Sequence, residues 1–127
     1  MHCAVTADAA LLRNVNVLVV DDDDDMCALM QVALERFGAS VELACSAEDA
    51  LRNSSPIDVV VADFGLPSMS GGQLHAELKK RAKSPAFILL TGHTMHDVSA
   101  FDGYMRKPVD APALAAMIAD VMRARIS

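Results

Sequence analysis

Val17-Leu18-Val19-Val20 is apolar at four consecutive positions and then stops at Asp21, the first of five aspartates running to Asp25. A strand with one face in water alternates apolar and polar residues. A run without alternation reads as a strand buried on both faces, which requires helices on both sides of a parallel sheet. The rest of the chain repeats the pattern. Met26, Leu29, Met30, Ala33, Leu34 and Phe37 recur at helical spacing, with Gly38 placed to cap the helix. Ser40 to Cys45 reads as a short strand, and Ser46 with Asp49 opens a helix running to about Asn53. After Pro56, Ile57 to Ala62 is a third buried strand ending at Asp63, followed by a loop carrying Gly65, Pro67, Gly71 and Gly72. Gln73 to Lys83 is helical, with Leu74 and Leu78 facing inward. Ala86 to Leu90 is a fourth strand ending at Thr91, Tyr104 to Arg106 a short fifth ending at Lys107-Pro108, and Ala111 to Arg125 a closing helix. Strands alternating with helices predict an α/β fold with an open, doubly wound, five-stranded parallel sheet.

The chain has 127 residues, one domain's worth, with an extension over residues 1–14 leading into a domain over 15–127. Apolar residues make up 53% and charged residues 22%, which excludes disorder as a description of the whole chain. The formal charge is −6, but without the five consecutive aspartates it would be −1, so the acidity is one site and not a coat. Lys79, Lys80, Arg81 and Lys83 form the only basic run and match the solvent face of a helix, so no nucleic-acid partner is expected. Cys3, Cys27 and Cys45 are odd in number and lack CxxC spacing, which argues against a disulfide framework or zinc ribbon and for a reducing cytoplasm. No stretch approaches 18 apolar residues and the amino terminus lacks a secretory pattern, so neither membrane insertion nor export is expected.

In an open parallel sheet, ligands sit beyond the carboxyl ends of the strands. There this sequence places Asp21, Asp22, Asp63, Thr91 and Lys107. Three converging carboxylates repel one another unless a cation is bound. Magnesium suits them better than zinc, because no His or Cys lies at the strand ends. One carboxylate can then attack a phosphoryl group, with the metal, a lysine and a threonine hydroxyl neutralising its oxygens.

These residues carry a resemblance. Leu18-Val19-Val20-Asp21-Asp22, then Asp63 with Leu66-Pro67 and Gly71, then Leu90-Thr91-Gly92, then Gly103-Tyr104-Met105-Arg106-Lys107-Pro108, in this order over roughly residues 15 to 125, resemble the receiver domain of two-component response regulators. The resemblance implies a flavodoxin-like sheet of order 2-1-3-4-5. It implies phosphorylation of Asp63 by a histidine kinase or histidine phosphotransfer protein, with Mg²⁺ held by Asp21, Asp22, Asp63 and the Gly65 carbonyl. Thr91 and Lys107 would grip the phosphoryl group, Thr91 and Tyr104 would switch, and the peptide before Pro108 would be cis. Gly65 and His93, each two residues beyond a site residue, would set the phosphoryl lifetime. Beyond accepting the phosphoryl group and slowly losing it, no enzymatic activity is implied. Asp22 and Asp23 could be the metal pair if the first strand ran one residue longer, but two apolar residues before the pair favour Asp21 and Asp22. Asp24 reads as a cap and dipole partner of the following helix.

The sequence departs from the family in one place. Only eleven residues separate Thr91 from Gly103, whereas a parallel crossover with its helix takes a dozen or more. The fourth helix should be a short turn or an irregular crossover, and the output surface atypical. The closing helix reaches the chain's end, so signalling would pass to an unknown target by docking or onward phosphotransfer. The alternative is a pseudo-receiver, a protein-binding module that is never phosphorylated. Other readings fare worse. A calcium loop fails because Met26 stands where glycine is required, a haloacid-dehalogenase-like nucleophile because Asp25 replaces its threonine, and a dinucleotide fold because no GxGxxG follows the first strand. His93 and His96 lack a third metal ligand, and His75 reads as a surface residue.

Overall fold

A computed structural model describes residues 9–92 and 97–126. Among them lie five strands, β1 (Asn16–Val20), β2 (Ser40–Ala44), β3 (Val59–Asp63), β4 (Ala86–Thr91) and β5 (Gly103–Arg106). Four helices accompany them, α1 (Asp24–Glu35), α2 (Ala47–Arg52), α3 (Gly71–Leu78) and α4 (Ala111–Ile126). The strands form one all-parallel sheet in the order β2-β1-β3-β4-β5.

Because side chains alternate across a strand, the apolar runs divide between two cores. Val17, Val19, Val59, Val61, Ile88 and Leu90 face α1 and α4, where they meet Met30, Leu34, Leu114 and Ile118. Leu18, Val20, Val60, Ala62, Phe87 and Leu89 face α2 and α3, where they meet Ala47, Ala50, Leu74 and Leu78. All six residues of β4 are buried, as an unalternating apolar run requires. Leu12 is fully buried in the first core, and its backbone N–H donates to the Phe37 carbonyl at 2.7 Å.

Local chemistry sets the element ends. Asp23, not Asp24, caps α1: its carboxylate accepts from the N–H groups of Asp25 and Met26, while Asp24 and Asp25 lie in the first turn as partners of the helix dipole. The cap belongs one residue earlier than the sequence implied because Asp23 still has extended backbone and its carboxylate reaches the first free N–H groups of the helix. Gly38 takes a φ of 99° as the chain turns from α1 to β2, and a Cβ there would lie 2.6 Å from the Ala9 carbonyl oxygen. The third helix runs over Gly71–Leu78, not Gln73 to Lys83. Ser70 and Gln73 form a reciprocal capping box that starts it early, and beyond Leu78 no apolar residue holds the next turn to the sheet. On α1 the buried residues are Cys27, Met30 and Leu34, whereas Leu29 is 67% exposed.

The β4–β5 connection differs most from a regular βα repeat. Residues 97–102 contain only turns and bends, with the Asp97 carboxylate accepting from the Ser99 N–H and hydroxyl and the Phe101 N–H donating to the Val98 carbonyl. Partly buried Phe101 and Tyr104 pack against the second core. His75 is a correction: it is buried, wedged against Phe87 and Phe101, because the short crossover lays Phe101 over the face of α3. Residues 93–96, and with them the readings of His93 and His96, lie outside the described residues.

Candidate functional site

Register places the polar residues in one row. Val20 is level with Ala62, Asp63 with Leu90, and Thr91 with Arg106. Asp21, Asp63, Thr91 and Lys107 therefore stand side by side at the carboxyl edge of β1, β3, β4 and β5. The ladders run past the strand ends: the Asp21 N–H donates to the Ala44 carbonyl, that of Phe64 to Leu90 and that of Lys107 to Thr91. The backbones beneath the site are thus tied across the sheet.

The site itself is a cluster of opposed charges. Carboxylate oxygens of Asp21, Asp22 and Asp63 lie within 4.8 Å of one another. The Lys107 ammonium stands 3.3 Å from Asp63 Oδ1 and 3.6 Å from Asp21 Oδ2, bridging two of the three. Asp21 is buried, Asp63 half-buried and Asp22 exposed, so the cluster opens to solvent on one side. Asp21 Oδ1 accepts from the Asp23 N–H at 2.9 Å, which turns the chain toward α1. The buried Cys27 thiol donates to the Asp21 carbonyl at 3.3 Å. Burial pushes the Asp21 carboxyl above the ordinary carboxylate range, the Asp23 amide and Lys107 pull it back, and the charges of Asp63 and Asp22 push it further up.

This donor set fits a hard divalent cation. Its three ligand groups are carboxylates, with no imidazole or thiolate among them, and one lysine leaves the negative charge in excess. The register answers the ambiguity of the aspartate run: β1 ends at Val20, so Asp21 and Asp22 enter the cluster while Asp23 caps α1.

The other predicted residues fall around this centre. Gly65 lies in the loop after Asp63, its N–H 3.5 Å from Asp63 Oδ1, with open space where a side chain would project. Thr91 is buried at the end of β4 and Tyr104 partly buried on β5, level with Leu89. The Lys107–Pro108 peptide is cis. One contributor escapes a reading by motif. Cys27 shares the buried face of α1 with Met30 and Leu34, a spacing visible once cysteine is counted as apolar. A Cβ on Gly71 would lie 2.9 Å from the Asp63 carbonyl oxygen and 3.1 Å from Phe64 Cα, so α3 begins directly against the backbone of the site.

Comparison with known proteins agrees with this architecture. A family model described as the response regulator receiver domain matches residues 17–119. The aerobic respiration control sensor protein ArcB of Escherichia coli is 33% identical over 117 residues, covering 84% of this chain but only 15% of that protein. Among solved structures, a response regulator receiver domain protein from Clostridium thermocellum superposes with a TM-score of 0.80 at 32% identity, covering 88% of this chain and 97% of that one. The response regulator TrrA of Thermotoga maritima, solved in complex with Mg²⁺-BeF, superposes with a TM-score of 0.77 at 29% identity over 84% of this chain and 98% of that one. No described helix is long and apolar enough to cross a membrane. With the sheet order, the carboxylate cluster and the family match in agreement, the chain belongs to the response regulator receiver domains of two-component signalling.

Proposed function

We propose that this domain takes a phosphoryl group from a phosphohistidine donor onto Asp63 and signals by the change that follows. The observation that carries the reading is the Lys107 ammonium lying within 3.6 Å of both Asp63 and Asp21 across three strand ends. A cation bound by Asp21, Asp22, Asp63 and the Gly65 carbonyl would offset charge on the transferring oxygens. TrrA, a relative, was solved with Mg²⁺-BeF, which supports magnesium here.

In this reading the half-buried Asp63 carboxylate attacks phosphorus in line with the donor nitrogen. The P–N bond breaks as the P–O bond forms, and the departing imidazole takes a proton from solvent. Lys107 and the Thr91 hydroxyl hold the equatorial oxygens. Thr91 and Tyr104, on neighbouring strands, are the residues that answer the new charge. Gly65 leaves the approach to Asp63 open to water, so hydrolysis limits the signal's duration, with His93 as the second determinant.

A protein donor must dock beside the cluster, and the adjoining surface is suited to it. Met26, Leu29 and Ala33 of α1 face Pro108 and Val109 across a cleft of about 310 Å³. Asp22 to Asp25 lead into one wall and Lys107 into the other. An apolar cleft beside a charged centre matches the core and rim of a protein interface. The setting we infer is cytoplasmic, supported by the free thiols of Cys27 and Cys45, which a reducing compartment preserves.

A second reading, a binding module that is never phosphorylated, draws on the irregular residues 97–102, where coupling between site and surface would be lost. Intact mass after incubation with Mg²⁺ and acetyl phosphate separates the two. The expected result is one phosphoryl adduct on the wild type, decaying with time, and none on Asp63→Asn. No adduct from either acetyl phosphate or a phosphohistidine protein would favour the binding module.

A further inference from the structure

His75 lies on α3 at a position the sequence reads as surface, yet it is 8% exposed. Its ring centroid lies 4.8 Å from that of Phe87 and 4.9 Å from that of Phe101, and the two phenylalanines are 5.8 Å apart, so the three rings are in mutual contact. They come from three different segments: α3, β4 and the crossover. The crossover is also pinned by backbone: the Phe87 N–H donates to Asp102 Oδ2 at 2.8 Å and the Asp102 N–H donates to the Phe87 carbonyl at 2.9 Å. Among the described residues no helix lies between β4 and β5. The ring cluster and the Asp102 bonds hold residues 97–102 in its place.

We propose that His75, Phe87 and Phe101 form an acid-releasable latch, which keeps residues 97–102 seated on the sheet while the imidazole is neutral and frees them when it is protonated. The inference is independent of whether Asp63 is phosphorylated.

The warrant is the cost of a charge among apolar rings. A neutral imidazole packs against phenyl groups as one more aromatic, but imidazolium gives up much of its hydration against two phenyl rings. Burial holds the His75 pKa below the usual histidine range, the Lys79 charge lowers it further, and Asp102 opposes both. Lys79 lies on the same helix and Asp102 on the crossover; β4 presents only Phe87. Asp102 is a weak counter-charge because Oδ2 already accepts from the Phe87 N–H and lies 3.8 Å from Arg125.

The sign follows from linkage. A histidine with a depressed pKa binds fewer protons in the closed state than in the open one, so closure weakens as pH falls through the ordinary histidine value. The loss levels off below the depressed one. Above the ordinary histidine value the imidazole is neutral in both states, and closure no longer depends on pH through His75. Because residue 102 leads directly into β5, opening loosens the strand that carries Tyr104.

The test follows the 127-residue chain by NMR between pH 7.5 and 5. In the wild type the His75 ring should titrate below the ordinary value, and the Phe101 ring resonances should move with the same midpoint. The opening constant for the Asp102 amide, from hydrogen exchange corrected for intrinsic rates, should rise as pH falls, with tenfold per unit as the limit for one proton. His75→Phe, which keeps a ring but cannot be charged, should remove that dependence, and Phe101→Ala should leave the amide open at every pH. Phe101 resonances that ignore the His75 titration would overturn the latch without recourse to any variant. So would an Asp102 amide whose pH dependence is the same in His75→Phe, which would assign the titration to a carboxylate.

Discussion

Asp21 shows how a single side chain can be wrong for the fold and right for the site. It is almost fully buried, lies beside two other carboxylates, and has Lys107 as its nearest countercharge. Its carboxyl is held above the ordinary range, so the folded state binds the proton more tightly than the unfolded chain does. Without a cation, its contribution to stability therefore improves as pH falls through the raised pKa toward the ordinary value of 3.8. Asp21→Asn keeps the acceptor for the Asp23 N–H and removes the charge. In metal-free buffer it should be more stable than the wild type by on the order of 1 kcal/mol, roughly 3–5 °C in Tm, with a flatter pH profile between 4 and 7. Adding Mg²⁺ should raise the wild-type Tm, by about 2.7 kcal/mol of stability at a hundredfold excess over Kd. The shift should be much smaller for the variant. Scanning calorimetry with and without the metal reads both, and a variant less stable than the wild type without metal would contradict the charge argument.

At the scale of the element, α3 and α1 serve the site from opposite sides. The start of α3 presses on the end of β3 through Gly71, so Gly71→Ala pushes a methyl against the Asp63 carbonyl and Phe64. We expect a loss of about 1–3 kcal/mol in urea unfolding and adduct formation from acetyl phosphate slowed about tenfold or more, because the acceptor is displaced. Gly72→Ala, whose Cβ would meet nothing nearer than Ser70 Oγ at 3.8 Å, is the matched control and should change neither. Helix α1 presents Leu29 outward, 67% exposed beside the apolar cleft. Leu29→Glu should leave stability within about 0.5 kcal/mol and the reaction with acetyl phosphate unchanged. It should slow transfer from a phosphohistidine protein about tenfold or more, the size of effect that an interface hot spot produces. Equal transfer rates would place the donor elsewhere.

For the molecule as a whole, the two cores differ in how they are closed. The first is sealed by α1, α4 and the turn holding Leu12; the second by α2, α3 and the rings of the crossover. Leu12 lies before the first strand yet is fully buried, so Leu12→Ala should cost about 2–5 kcal/mol in urea denaturation, as deletion of a core leucine does. A cost under 1 kcal/mol would make residues 9–14 an appendage instead of part of the fold. The sheet holds the charged edge rigid because β1, β3 and β4 are buried on both faces, while β5 is four residues long and seated by Phe101, Asp102 and the Met105 contact with the first core. Stiffness therefore falls from β3, which carries Asp63, toward β5, which carries Tyr104.

The sequence by itself determined the sheet and the carboxylate row, because both rest on short-range pattern. Apolar runs such as Val17–Val20 and Val59–Ala62 have no polar face to offer water, and the residue that ends each run must lie at the strand's edge. Element ends were less legible, since the difference between Asp23 and Asp24 as cap, or between Leu78 and Lys83 as a helix end, is about one hydrogen bond or one unsupported turn. What only the tertiary structure decided are contacts between segments far apart in the chain. His75 reads as a polar residue on a helix until Phe101 arrives from 26 positions away to bury it. Leu29 belongs to an apolar repeat, yet on α1 only the Cys27-Met30-Leu34 stripe is buried. A periodicity states which residues share a face. Whether another element comes to cover that face depends on the path of the whole chain.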